Sequence, residues 1–304
     1  MSNVKYQKPF LKWAGGKTQI LSQVLSKIPK TMENYHEIFL GGGSVLLAML
    51  TLAKNKQIII HGEIFAYDIN TQLINVYTHV QKNKDELFAF INLYRNEYDS
   101  CPPGEKGKNN RKPKNIEEAK TSKESYYYWL RAKFNNMENN CVENSALFMV
   151  LNKLCFRGIY REGPNGFNVP FGHYKKTPQI ISKIELDTIS DLIKDVVFIS
   201  CDFTESINHV SKGDYVYLDP PYAPETKNSF VGYTADGFDI NMHKNLFKLT
   251  NELNKKKTKF TMSNANVDLV KNNFIKYNIT EVDVRRACNS KNPGAKTTEL
   301  LITN

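Results

Sequence analysis

The stretch "DYVYLDPPYAP", residues 214–224, runs through apolar and aromatic residues and stops on an aspartate, two prolines and a tyrosine. YVYL reads as a buried strand, and a charge at the end of a buried strand needs a purpose, because an ionised carboxylate gives up water only when something compensates it. Strand-like runs recur around it in "DVVFISCDF" (195–203), "KFTMSN" (259–264) and "TELLITN" (298–304), separated by helical patterns such as "DINMHKNLFKLTNELNKK" (239–256). Near the N-terminus the same alternation is present: a Gly-rich turn, the helical "GGSVLLAMLTLAKN" (42–55), then "QIIIHGEIFAYDIN" (57–70) with at least one strand. Between them, 77–173 is helical in pattern, with no periodic strand before about residue 155. The expectation is an α/β fold, a mostly parallel sheet covered by helices, made of 1–76 and 174–304 and interrupted by an inserted helical domain at 77–173.

Composition narrows the partner. The 304 residues are 41% hydrophobic, enough for a sizeable core, and 41 Lys and Arg against 31 Asp and Glu leave a net charge of +10. A basic balance of this size favours a polyanion such as nucleic acid. Five scattered cysteines (Cys101, Cys141, Cys155, Cys201, Cys288) form no CxxC pair, so neither zinc nor a redox centre is expected and a reducing compartment fits. No metal requirement is expected. No apolar run is long enough to cross a bilayer and the N-terminus lacks a signal-peptide core, so no membrane partner is expected; the expected location is cytoplasmic, or nuclear or a viral factory if the source has one. "CPPGEKGKNNRKPKNIEEAKTSK" (101–123), rich in Pro, Gly and Lys, reads as a mobile loop.

In open α/β sheets ligands gather at strand ends. In "HEIFLGGGSVLLAML" a strand ends at Phe39, glycines 41–43 turn the chain and a helix begins near Ser44, a turn suited to an adenosine-containing cofactor. It is not the dinucleotide fingerprint, since Leu46 stands where the third glycine belongs. Asp68, ending "EIFAYD", either accepts hydrogen bonds from a ribose or belongs to an N-cap for a helix starting near Thr71. "FLKWAGGKT" is no phosphate loop, because Leu11 occupies the place of the first glycine. What remains there is Trp13, a Gly pair and two lysines, Lys12 and Lys17, able to stack on a purine and to offer positive charge.

DPPY suits the methylation of an exocyclic amine. Such an amine, conjugated to a purine ring, is a poor nucleophile, and it improves when hydrogen-bond acceptors draw it toward tetrahedral geometry. Asp219 offers a carboxylate and Pro220 a backbone carbonyl, the two prolines fix their φ angles in advance, and Tyr222 can stack on a base taken out of its duplex. Alone, the motif can equally be a strand stop with a core tyrosine.

Together these pieces resemble the Dam-like, D12-class DNA adenine-N(6) methyltransferases, which use S-adenosylmethionine. The resemblance rests on "PFLKWAGGK" (9–17), "EIFLGGGSV" (37–45), "YDIN" (67–70), "LNKLCFRGIYREGPNGFNVPFG" (151–172) and "DPPY" (219–222), with weaker echoes in "CDF" (201–203), in Phe238, His243 and Leu246, and in "MSN" (262–264). It implies a Rossmann-like methyltransferase fold with an antiparallel C-terminal strand, and a helical target-recognition domain carrying a DNA-contacting hairpin. It implies that Trp13, Lys17, Phe39, Gly41, Gly43, Ser44, Asp68, Asp202, Phe203 and Asp219 bind the cofactor, and that Asp219, Pro220 and Tyr222 hold the target base. Lys12, Phe156, Ile159, Arg161 and Pro170 would contact double-stranded DNA, Phe156 as a wedge.

Arg161 can read guanine or bind phosphate, and Phe156 can instead be core. Arg157, also a DNA-contact candidate, stands where the family commonly has asparagine, which opens the GATC target the resemblance implies to a related short palindrome. Ile38 replaces a proline usual before the Gly-rich turn. The remaining alternatives are an amino methyltransferase acting on cytosine N-4, RNA or a protein glutamine, and a silent DNA-binding relative. A cognate restriction endonuclease is a candidate functional partner.

Overall fold

The computed structural model describes residues 5–105, 107, 109–224, 237–285 and 296–304. Cys288 lies outside them, and the four described cysteines carry no disulfide. The chain divides into two compact units, one of Met1–Lys8, Gly15–Ile69 and Asp195–Asn304, the other of Pro9–Ala14 and Asn70–Lys194.

The first unit is built on YVYL. All four of its residues are buried, and it forms the strand β4 (Tyr215–Leu218) near the middle of a seven-stranded sheet. The others are β1 (Tyr35–Glu37), β2 (Ile64–Asp68), β3 (Val196–Ser200), β5 (Lys259–Ala265), β6 (Asn278–Arg285) and β7 (Lys296–Thr303). Their spatial order is β6-β7-β5-β4-β1-β2-β3. The pairings β2–β3, β1–β2, β1–β4 and β4–β5 are parallel, while β7 runs antiparallel to both neighbours. The mostly parallel sheet with an antiparallel C-terminal strand is the expected Rossmann-like α/β class. A parallel strand needs a crossover, and α1 (Ser44–Lys54) supplies the one from β1 to β2; Ser44 through Leu50 are all buried, so the helix is apolar all round. Around β4 and β5, Val216, Leu218, Phe260 and Met262 pack with Leu246 and Phe247 of α7 (Ile240–Lys255) and Leu300 and Ile302 of β7.

The aspartates at the two ends of YVYL have opposite fates. Asp214, 3% exposed, accepts from the backbone and side-chain nitrogens of Asn34 (3.1 and 2.8 Å) and from Ser211 N (2.8 Å). Its other partner is His36 Nε2 at 3.1 Å, whose imidazole burial holds below its ordinary pKa despite the carboxylate. Asp214 is thus a structural tie at the amino end of the sheet, and Asp219 emerges at the carboxyl end.

The second unit is helical: α2 (Thr71–Lys82), α3 (Lys84–Ser100), α4 (Lys123–Asn136), α5 (Val142–Leu154) and α6 (Lys183–Leu192). The apolar run Ala146–Leu151 makes α5 the buried centre, packed by α2, α3 and α4. Side-chain caps start the helices where the sequence has Asn70, Ser122 and Ser182, accepting from Leu73, Ser125 and Glu185 N–H groups at 2.9, 3.0 and 3.1 Å.

The unit boundaries differ from those expected. The helical unit begins at 70 rather than 77, because Leu73 and Ile74 already face its core, and it runs to 194 rather than 173, because α6 packs on α2 and α3. Gln81 Nε2 closes that end on Ile193 O at 2.7 Å. Pro9–Ala14 also belongs to it, clamped by Asn152, which accepts from Lys12 N at 2.8 Å and donates to Lys12 O at 2.7 Å.

The Lys-rich stretch is tied down where it is described, contrary to the mobile loop expected. Asn109 and Arg111 donate to the buried carboxylate of Glu124, each at 2.9 Å, and Ile116–Ala119 forms a short helix. Among the described residues no helix is long and apolar enough to cross a membrane, and no cluster of His, Cys, Asp and Glu could hold a metal.

Candidate functional site

Four neighbouring parallel strands of the first unit, β3, β2, β1 and β4, deliver Asp202, Asp68, the Gly-rich turn and Asp219 at their carboxyl ends. With strands about 4.8 Å apart, this row spans roughly 14 Å.

After β1 the chain keeps its pairing for three more residues, Ile38 N donating to Tyr217 O (3.1 Å) and Leu40 N to Tyr67 O (2.8 Å). It then turns through Gly41 and Gly43, both at positive φ (+49° and +65°), a conformation only glycine takes without strain. Gly41 N donates to Asp68 Oδ2 at 2.9 Å, so the carboxylate that ends β2 braces the turn after β1. The capping of α2 falls to Asn70 instead, which leaves Asp68 out of the N-cap. Asp202 caps the short helix Phe203–Ser206 by accepting from Thr204 N at 2.8 Å. Phe203 is buried against the half-buried Phe39 (centroids 5.9 Å) and Phe238 (5.6 Å), an apolar wall beside Asp202.

Lys17 and Asp219 meet at the end of β4. Lys17, 3% exposed, is held by its backbone N–H donating to Ser44 Oγ (3.1 Å) and by its ammonium donating to Gly15 O (2.6 Å). Its Nζ lies 2.8 Å from Asp219 Oδ1 and 4.9 Å from the Tyr222 ring centroid. Oδ1 is sealed from solvent, and Lys17 is the cation that compensates its charge there. The 19% of the Asp219 side chain that stays open therefore belongs to its remaining atoms. Burial raises the Asp219 pKa to about 6, Lys17 pulls it down and Glu299 pushes it up. Pro220 is buried behind it. Tyr222 donates its hydroxyl to Glu299 Oε2 at 2.7 Å, and Ala223 N donates to Asn264 Oδ1 at 3.1 Å, so the end of DPPY is fastened to β7 and β5.

A second carboxyl stands close. Glu37, 2% exposed at the end of β1, accepts from Tyr35 OH at 2.7 Å. Burial lifts its pKa to about 8, with Asp219 adding to the rise, so it is protonated at neutral pH.

The second unit holds the other sequence-derived candidates. Trp13 stacks on Tyr160 (5.6 Å) and Phe148 (6.4 Å). Lys12 lays its ammonium over Tyr174 (4.6 Å to the centroid), and its stem covers Gly158, where a Cβ would come within 2.4 Å of it. Phe156 is 46% exposed rather than core, with the Arg157 guanidinium 5.2 Å from its ring centroid. Its backbone N–H donates to Pro170 O at 2.8 Å, which joins the two ends of the hairpin segment. Arg157 holds φ +58°, a left-handed conformation that Asn tolerates better than Arg. Ile159 is half-buried, Pro170 exposed, and Arg161 is steered by Asn168, whose Oδ1 accepts from Nε at 2.6 Å. The strands Glu162–Gly163 and Gly166–Phe167 close this segment into a small hairpin.

Sequence reasoning gave no role to Glu37, Glu299, Asn264 or Asn152, although Glu37, Asn152 and Asn264 lie inside the stretches that carry the resemblance. A carboxylate just before the apolar Leu300–Ile302 was the available signal for Glu299; the role of Asn152 is set by backbone groups far away in the chain.

Residues 13–288 match the D12 class N6 adenine-specific DNA methyltransferases. The chain is 37% identical to the Type II methyltransferase M.MjaIII of Methanocaldococcus jannaschii, over 98% of this chain and 99% of that protein. It is 29% identical to the Type II methyltransferase M1.LlaDCHI of Lactococcus lactis subsp. cremoris (98% and 95%) and 27% identical to the DNA adenine methylase of Escherichia coli K12 (98% and 95%). The chain belongs to the D12 class of N6 adenine-specific DNA methyltransferases.

Proposed function

We propose that the chain methylates the exocyclic amino group of an adenine rotated out of double-stranded DNA, with S-adenosylmethionine as donor, at GATC or a related short palindrome. The observation that carries this reading is the juxtaposition of Asp219, Lys17 and Tyr222 at the carboxyl end of β4: a mostly buried carboxylate with one oxygen sealed and a small part still open, a buried ammonium beside it and an aromatic ring under that ammonium.

The donor fits the row of strand ends. The Gly41–Gly43 turn admits close backbone approach, the Asp68 carboxylate at the end of β2 suits a ribose, and Asp202 with the Phe39–Phe203 wall suits an adenine. When bound, S-adenosylmethionine supplies an electrophilic methyl group.

Everything else is work for the chain's own residues. Asp219 and the Pro220 carbonyl accept the amino hydrogens and draw the nitrogen toward tetrahedral geometry, while Tyr222 stacks on the ring. Lys17 keeps Asp219 ionised at neutral pH despite its burial. No side chain would carry the methyl group: the amino nitrogen held by Asp219 and the Pro220 carbonyl would take it directly from the bound donor and release its proton to solvent, with no covalent enzyme intermediate. The exposed Phe156, with Arg157, Arg161, Lys12, Ile159 and Pro170, forms the DNA-contacting set, Phe156 filling the gap left by the rotated base. Relatives named as Type II methyltransferases support a place beside a cognate restriction endonuclease.

Tritiated methyl transfer to duplex DNA followed by nucleoside analysis tests the reading. N6-methyladenine is the expected product; N4-methylcytosine, or methylation of RNA instead of duplex DNA, would overturn it. Modified-base sequencing of plasmid from expressing cells then gives the site.

A further inference from the structure

Tyr222 is the stacking platform of the proposed site, and a platform works only if its tilt is fixed before the base arrives. A tyrosine ring turns about two bonds near its backbone, so its hydroxyl, the point farthest from them, is where a single hydrogen bond restrains it most. That point is occupied: the hydroxyl donates to Glu299 Oε2 at 2.7 Å, from a residue 77 positions along the chain on β7. The other end of the same segment is fixed by Asn264 Oδ1, which accepts from Ala223 N at 3.1 Å and from its own neighbour Ala265 N at 2.8 Å. Glu299 pairs in register with Ala265 across β5 and β7, so both restraints come from adjoining positions of one rigid antiparallel ladder.

A carboxylate is a costly choice here unless it has a use. Glu299 is only partly exposed, and it adds to the rise of the Asp219 pKa. A phenol–carboxylate hydrogen bond is charge-assisted and about twice as strong as a neutral one.

We infer that Glu299 is the positioning residue for the base-stacking tyrosine, holding the Tyr222 ring at a fixed tilt through its hydroxyl. The inference rests on the proposed function of the DPPY segment, and it acts through Tyr222 rather than on substrate.

The test compares wild type, E299A, E299Q, Y222F and the double variant E299A/Y222F on a duplex bearing the site mapped for the wild-type enzyme. Single-turnover methyl transfer is measured on that duplex, and fluorescence on its counterpart with 2-aminopurine at the target position. Loss of one hydrogen bond to a charged group corresponds to roughly a tenfold to hundredfold slower transfer for E299A. The bright signal of the unstacked 2-aminopurine should change in parallel, and half-saturation by S-adenosylmethionine should stay within about twofold. E299Q, which keeps an acceptor but not the charge, should fall between E299A and wild type. Y222F should reproduce the E299A loss, and the double variant should be no slower than either single one, because both remove the same contact.

E299A or Y222F at the wild-type rate, or losses that multiply in the double variant, would overturn the inference. If E299A does not fold, Y222F and E299Q decide the matter, since each keeps nearly the native volume. Failure of the underlying reading looks different: the wild-type enzyme itself would place no methyl group on adenine.

Discussion

Lys17 Nζ stands 2.8 Å from Asp219 Oδ1, both deep in the site, with the Tyr222 ring beneath the ammonium. The pair solves a problem set by the fold. A carboxylate at the end of a buried strand tends toward its neutral form, in which it is a weaker acceptor for an amine, and Lys17, at the start of the short helical turn Lys17–Gln19 before β1, restores the charge.

The consequence is a pH signature. The groups facing Asp219 are Lys17, Glu37 from β1, Tyr217 from β4, Tyr222, and Glu299 from β7. With Asp219 at about 6, activity should fall as the carboxylate takes up its proton below that pH. Since Lys17 lowers this pKa, Lys17→Met should move the acid limb of the kcat/KM profile to higher pH. A limb that stays in place would contradict the assigned electrostatics.

Glu37 makes a prediction about stability with a definite sign. Its pKa rises on folding from the ordinary 4.5 to about 8, so the folded chain holds a proton that the unfolded chain releases. The stabilisation from this difference is full below about pH 4.5 and lost progressively as pH rises through 8. Glu37→Gln, which resembles the protonated form, should therefore be more stable than wild type by an increasing margin from pH 5 to 8, reaching on the order of a few kcal/mol. Urea unfolding at the two ends of that range is the check; a constant difference would contradict it.

Asp214→Ala should be one of the more damaging changes outside the site. It would strand three donors, Asn34 N, Asn34 Nδ2 and Ser211 N, and leave buried His36 without its carboxylate. Such losses cost about 1–3 kcal/mol per buried unsatisfied group, so a total of roughly 3–5 kcal/mol is expected in denaturant unfolding. A loss under about 1 kcal/mol would show that the tie is dispensable.

Much of this was legible in the sequence because it is local. YVYL announces a buried strand by its run of apolar residues, the glycines before α1 announce a turn, and DPPY places an acid and a ring at a strand end. The fastening of the site was not legible, since Glu299 reaches Tyr222 across 77 residues and Asn152 clamps Lys12 across 140. Local periodicity carries no trace of such contacts. The boundary of the helical unit slipped for the same reason, as Pro9–Ala14 joins it only through Asn152 and through Phe10 packing on Tyr77 at 5.1 Å.

Arg157 trades stability for its side chain. At φ +58° an arginine sits in a conformation that costs about 1–2 kcal/mol relative to ordinary backbone. Arg157→Asn should raise the unfolding free energy by about 1 kcal/mol, since Asn tolerates this region, while weakening binding to duplex DNA and flattening its salt dependence. Calorimetric unfolding and salt-titrated binding measure the two halves, and unchanged DNA affinity would remove Arg157 from the interface.

The most direct test of the central claim is single-turnover methyl transfer to duplex DNA by Asp219→Ala, run beside S-adenosylmethionine binding by calorimetry. Loss of the preorganised acceptor should slow transfer by at least about a hundred- to a thousandfold while the donor still binds. Transfer near the wild-type rate would contradict the account.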